Sequence, residues 1–122
     1  MKYLKELLKK LSEAPGVSGH ESRIKQMIID EIRQNVDEIK EDSMGNLITT
    51  KKGSGKFKVM IAAHMDEIGF MVKHIDDKGF ISFETIGGFD QRSLGSQRVK
   101  IHSSKGDFTG VIGLKPPHIT PQ

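Results

Sequence analysis

The chain has no cysteine and no tryptophan, a single tyrosine, and only four prolines in 122 residues. Without cysteine there is no disulfide, no thiolate zinc knuckle and no thiol nucleophile, a composition that fits a reducing compartment. Aromatic residues make up 6% of the chain. That is too sparse to build the stacking platforms on which single-stranded nucleic acid is held. No apolar run approaches the roughly 20 residues that span a bilayer. Met1-Lys2-Tyr3-Leu4-Lys5-Glu6 carries charge through its apolar positions, so no signal peptide is read there. No like-charge run exceeds a pair such as Lys9-Lys10 or Lys51-Lys52. The computed isoelectric point of 9.2 overstates the basicity, since 19 basic and 16 acidic side chains differ by only three charges. Arg92, Arg98, Lys100 and Lys105 lie among short predicted strands, yet a solvated face explains them better than a nucleic-acid surface. The expectation is a cytoplasmic protein, one domain in length, with neither a membrane nor a nucleic acid as partner.

What is present centres on Val59-Met60-Ile61-Ala62-Ala63-His64-Met65-Asp66-Glu67-Ile68-Gly69-Phe70. The continuous hydrophobicity of its first half predicts a strand buried on both faces. In open α/β sheets the chemistry lies just beyond the carboxyl ends of such strands, which is where His64 falls. Imidazole is the commonest transition-metal ligand, and a carboxylate two residues on can fix its tautomer and raise its basicity. His64 is therefore the candidate metal ligand and Asp66 the candidate residue that orients it. The pattern alone is weak, because acidic residues fill 16 of the 122 positions.

In chain order, Leu4, Leu7, Leu8 and Leu11 recur at helical spacing. Ala14-Pro15-Gly16-Val17-Ser18-Gly19 then breaks the helix, its glycines read as turn geometry. Ser18 and Glu21 form a capping-box pattern before Ile24, Met27, Ile28 and Ile32 of a second helix. Strands are predicted over 36–40 and 47–50, joined by a turn at 43–46, and then over 57–63. Further short strands are predicted over 68–74, 80–85, 99–102 and 108–112. Their hairpin turns at 76–79 and 103–107 carry glycine where φ must be positive. Closely spaced short strands suggest a small barrel or sandwich, so a boundary is placed after residue 67. Phe70, Phe80 and Phe83 read as core, and the tail over 115–122 forms no regular element.

Six ordered blocks carry a likeness to a known family: Pro15–Glu21, Asp42–Leu47, Ala63–Phe70, Ile86–Gly88, Gln97–Val99 and Gly113–His118. Together they resemble the N-terminal part of the dinuclear-metal aminopeptidases of metallopeptidase family forty-two, which includes tetrahedral (TET), glutamyl and endoglucanase-labelled members. The resemblance implies an α/β fold. Residues 1–67 would be the N-terminal part of a phosphorylase/hydrolase-like catalytic sheet domain. Residues 68–122 would be an incomplete, inserted β-barrel-like domain that mediates dimerisation. It further implies two divalent metal ions, zinc or cobalt, that share a bridging carboxylate and a water, and a peptide substrate with a free N-terminus. His64 matches the first metal ligand and Asp66 the aspartate behind it. Glu67 matches the family's residue at its position and receives no role. Glycoside hydrolysis is disfavoured, because it needs two carboxylates across a sugar cleft usually lined by aromatic platforms, and nothing here supplies the aromatics.

The remaining ligands and the general base lie further along the chain in that family. The expected function is thus the N-terminal fragment of a metal-dependent aminopeptidase, inactive alone, and self-associating through its β domain. The alternative is a non-catalytic oligomerisation or interaction module of the same descent. His20, His74, His102 and His118 are expected to serve turns, surfaces or packing. Uncovered strand faces are expected to leave the isolated chain poorly stable or in need of a partner.

Overall fold

The computed structural model of the chain describes residues 1–114. The expected irregular tail, with His118, lies outside the described residues. The elements in order are α1 (Lys2–Ser12), α2 (Ser22–Ile32), β1 (Glu38–Glu41), β2 (Leu47–Thr50), β3 (Gly69–Ile75), β4 (Ile81–Ile86), β5 (Arg98–Ser103) and β6 (Gly106–Val111). Among the described residues the strands pair as three antiparallel hairpins, β1 with β2, β3 with β4 and β5 with β6. The content is α/β, two helices and small sheets. By packing, the chain divides into Met1–Gly87 and Gly88–Gln122.

In the first unit, α1 forms where the leucine spacing predicts it, but Leu4 and Leu8 remain exposed. Two polar contacts tie it to α2: the Tyr3 hydroxyl donates to the Glu31 carboxylate, and Lys10 lies 4.0 Å from the same group. Exposed pairs of this kind contribute about 0–1 kcal/mol. Helix α2 is anchored by Ile24, only 4% exposed. The expected capping box does not form. A turn closed by His20 N–H donating to the Val17 carbonyl (2.7 Å), with Gly19 at φ +84°, uses up Ser18. The helix starts at Ser22, and the Glu21 carboxylate reaches back to accept from Gly19 N–H at 2.6 Å.

Gly79 and Gly106 adopt the positive φ that the hairpin turns require. A bulge between Val72 and His74 sets Lys73 outside the β3–β4 register, and Lys73 Nζ pairs with Glu84 at 2.6 Å. Phe70 and Phe83 face each other across this hairpin, ring centroids 4.6 Å apart and tilted by 60°. Phe80, expected in the core, is exposed, because it sits in the turn before β4 rather than on the pleat.

The largest departure from the sequence reading is the segment over 57–63. It forms no strand, and Phe57, Val59, Met60 and Ile61 are all 87% exposed or more. A strand buried on both faces exists only when neighbours complete its ladder and cover its faces. Among the described residues none does. His64 consequently follows an irregular segment.

What holds the first unit together instead is a close approach of two backbones. Val17 and Glu67 form an isolated parallel bridge. Gly69, on the same side, has no room for a side chain: an added Cβ would sit 2.3 Å from Val17 Cγ2. Gly69→Ala is therefore expected to open this bridge by about 1–3 kcal/mol, speeding exchange of the Glu67 amide roughly five- to more than one-hundred-fold. Gly53→Ala, with open space at Cβ, is the control that leaves exchange unchanged; equal effects of the two would refute the packing argument. The exposed apolar run also predicts self-association of the isolated chain at micromolar concentration, weakened by Ile61→Lys. Sedimentation showing a monomer with a cooperative unfolding transition would contradict that.

Candidate metal-ligand site at His64

The residues around His64 are brought together by local turns rather than by a strand end. His64 Nδ1 lies 3.0 Å from the Asp66 carbonyl oxygen and 3.1 Å from Asp66 Oδ1. A carbonyl oxygen and a carboxylate oxygen both accept, so Nδ1 is assigned the proton and donates to Asp66. The lone pair is then on Nε2. The His64 side chain is 86% exposed, which leaves that nitrogen open to a ligand. This is the tautomer in which an imidazole binds a metal through Nε2 while a carboxylate steadies the other nitrogen.

Behind the pair, the chain is bracketed against the loop after α1. Glu67 N–H donates to the Gly16 carbonyl at 2.8 Å, and Gly16 N–H donates back to Glu67 Oε1 at 3.2 Å. Gly16 is buried, and a Cβ there would meet Ile24 Cγ2 at 2.8 Å and the Met65 carbonyl at 3.3 Å. The proline-glycine break thus does more than turn the chain: it lets the loop lie directly on the His64 segment.

A groove of about 370 Å³ opens beside the imidazole, with Ile28 and Ile32 of α2, Met44 and Leu47, and Ala63 among its lining residues. Its β-turn wall is built by Asp42. One Asp42 carboxylate oxygen accepts from Met44 N–H and Asn46 N–H, each at 2.9 Å, and the other from the Asn46 side-chain amide, also at 2.9 Å. The Asn46 amide and these backbone donors hold the Asp42 carboxyl below its ordinary range. A second brace joins α2 to β1, where Lys25 Nζ donates to Glu41 Oε1 at 2.6 Å.

The other histidines are not drawn to this place. His20 lies in the turn before α2, His74 is on β3, and His102 on β5 bonds Asp107 at 2.8 Å. Arg92, one of the cations weighed for nucleic acid, is forked onto Asp90 at 2.9 and 3.0 Å. Among the described residues no group of three or more His, Asp or Glu side chains could hold a metal. The donor chemistry of His64 fits one ligand of a divalent ion, and Asp66 fits its support. Glu67 and Gly16 were given no site role by the sequence reading. The available signal was their place within two of the six ordered blocks, Pro15–Glu21 and Ala63–Phe70.

A family model for M42 glutamyl aminopeptidase matches residues 45–122. The chain belongs to that family. It is 45% identical over 115 residues to the lysyl aminopeptidase of Pyrococcus furiosus, covering 93% of this chain and 33% of that protein. Among solved structures, the TET aminopeptidase of the marine sediment archaeon Thaumarchaeota archaeon SCGC AB-539-E09 superposes with a TM-score of 0.87 at 37% identity, over 96% of this chain and 33% of that one. The TET1 peptidase of Pyrococcus horikoshii, which can assemble into a tetrahedron or a large octahedral shell, gives 0.79 at 43% identity, over 94% and 34%. This M42 chain thus spans about a third of the length of the relatives it matches. Among its described residues, no helix is long and apolar enough to cross a membrane.

The groove wall carries a pH prediction. Asp42 has a lowered folded-state pKa, so its contribution is present above the ordinary carboxylate pKa and is lost as pH falls through the lowered one. An NMR titration of the Asn46 amide should show one acid transition below the ordinary carboxylate range, abolished by Asp42→Ala. A transition at the ordinary value would contradict the assigned hydrogen bonds.

Proposed function

We propose that this chain supplies the first part of a metal-dependent aminopeptidase that removes N-terminal residues from peptides. The observation that carries the reading is the His64–Asp66 pair in a chain of the M42 family, with Nδ1 satisfied and Nε2 facing outward. In this reading His64 is a metal ligand, and Asp66 holds its ring in place. Two divalent ions, zinc or cobalt, would supply a polarised carbonyl and an activated water when bound. Further ligands and the general base would come from outside the described residues, so this chain alone would not hydrolyse peptides.

The same reading assigns residues 1–67 to the catalytic α/β domain and residues 68–122 to an inserted, barrel-like β domain through which copies associate. The assembly of the Pyrococcus horikoshii relative supports self-association, and the exposed edges of the β3–β4 hairpin offer a place for it. A reducing, cytoplasmic setting fits the absence of cysteine.

The test is made in the natural protein that carries this chain. His64→Ala should lower metal affinity and cut the rate on an N-terminally free peptide by at least about 100-fold, and Asp66→Ala should cost about 10–100-fold in metal affinity or activity. Retention of the metals and of the full rate by His64→Ala would overturn the assignment.

A further inference from the structure

The site reading leaves Glu67 without a task, although it stands beside Asp66 and touches the Pro15–Gly19 loop twice. One peptide unit explains the arrangement. The carbonyl of Asp66 and the N–H of Glu67 belong to the same planar trans group and point in opposite directions. The carbonyl side faces His64 Nδ1 at 3.0 Å, and the N–H side donates to the Gly16 carbonyl at 2.8 Å. Whatever fixes that peptide plane on the Gly16 side therefore fixes one of the two acceptors that His64 sees, the other being Asp66 Oδ1 at 3.1 Å.

The Glu67 side chain supplies the fixing. Its Oε1 accepts from Gly16 N–H at 3.2 Å, so Gly16 and Glu67 exchange two hydrogen bonds, one of them to a charged acceptor. Gly16 cannot retreat, because its Cα packs on Ile24, the most buried apolar residue of α2. Bonds aligned in series polarise one another: Glu67 N–H to Gly16 on one side strengthens the Asp66 carbonyl as acceptor on the other.

We infer that Glu67 is a positioning residue for His64: through Gly16 it locks the Asp66–Glu67 peptide so that the imidazole keeps its proton on Nδ1 and its lone pair on Nε2. Free imidazole side chains in water favour the opposite tautomer. An exposed histidine held in the Nδ1–H form therefore needs a fixed acceptor, and the rotatable Asp66 side chain alone, in a segment without regular structure, would not be one. The inference rests on the metal-ligand reading for its purpose, but its geometry is independent of that reading.

The experiment uses the metal-free natural protein that carries this chain, labelled with 15N-histidine, with His64 assigned by loss of its signals in His64→Gln. Long-range 1H–15N correlation at about pH 8.5, some two units above the ordinary imidazole pKa, reports the tautomer directly. The chain should show His64 with Nδ1–H dominant, and Glu67→Ala should reverse this, making Nδ1–H the minority form. Glu67→Gln, which keeps an acceptor oxygen at the same reach, should retain the native form. Glu67→Asp, one methylene short, should lose it. If Glu67→Ala does not fold, the Gln and Asp variants decide by the same contrast. An unchanged tautomer in Glu67→Ala, or in Glu67→Asp where Ala fails to fold, overturns the inference. Zinc loaded into the natural protein that carries this chain, where the further ligands are present, separates the two readings. A shifted Nε2 signal with a tautomer insensitive to residue 67 leaves the ligand reading standing and removes Glu67. An unmoved Nε2 signal removes the ligand reading, and with it the purpose assigned to Glu67.

Discussion

Two glycines allow the backbone around Val17 to lie against the backbone around Glu67, and most of what is ordered near His64 depends on that approach. At Gly69 a methyl group would overlap Val17, and at Gly16 it would press on Ile24. The contact joins chain segments about fifty residues apart and carries hydrogen bonds on both partners. Such a crossing needs no large core. That suits a chain in which only Ala14, Ile24 and Ile112 are buried apolar residues among those described.

The site follows from that crossing. Because the Glu67 end of the peptide is held by Gly16, the Asp66 end can hold His64, and the imidazole lone pair is directed outward. One exposed imidazole with its partner is not by itself a complete centre. The relatives, three times as long, are consistent with the rest being contributed elsewhere.

Much of this was readable from the residues. The leucine period of α1, the Gly79 and Gly106 turns and the short strands that carry Phe70 and Phe83 are local signals, and local signals survive in any context. The β1–β2 turn was legible for the same reason, since Asp42 and Asn46 close it by themselves. The pairing of His64 with Asp66 was legible because two residues of spacing suffice for it. The segment over 57–63 failed as a strand because its pattern describes the surroundings it suits, not the ones it has here. The Ser18–Glu21 cap failed because a glycine at φ +84° turned the chain first. The Gly16–Glu67 bracket lay beyond reach, because no period or motif reports a contact across fifty residues.

The central claim is that His64 offers Nε2 to a metal while Asp66 holds Nδ1. The most direct test is anomalous diffraction from crystals of the natural protein loaded with zinc. The account predicts an anomalous peak in bonding contact with His64 Nε2, with Nδ1 still turned to Asp66. A peak on Nδ1, or metal bound with His64 outside its coordination sphere, would contradict it.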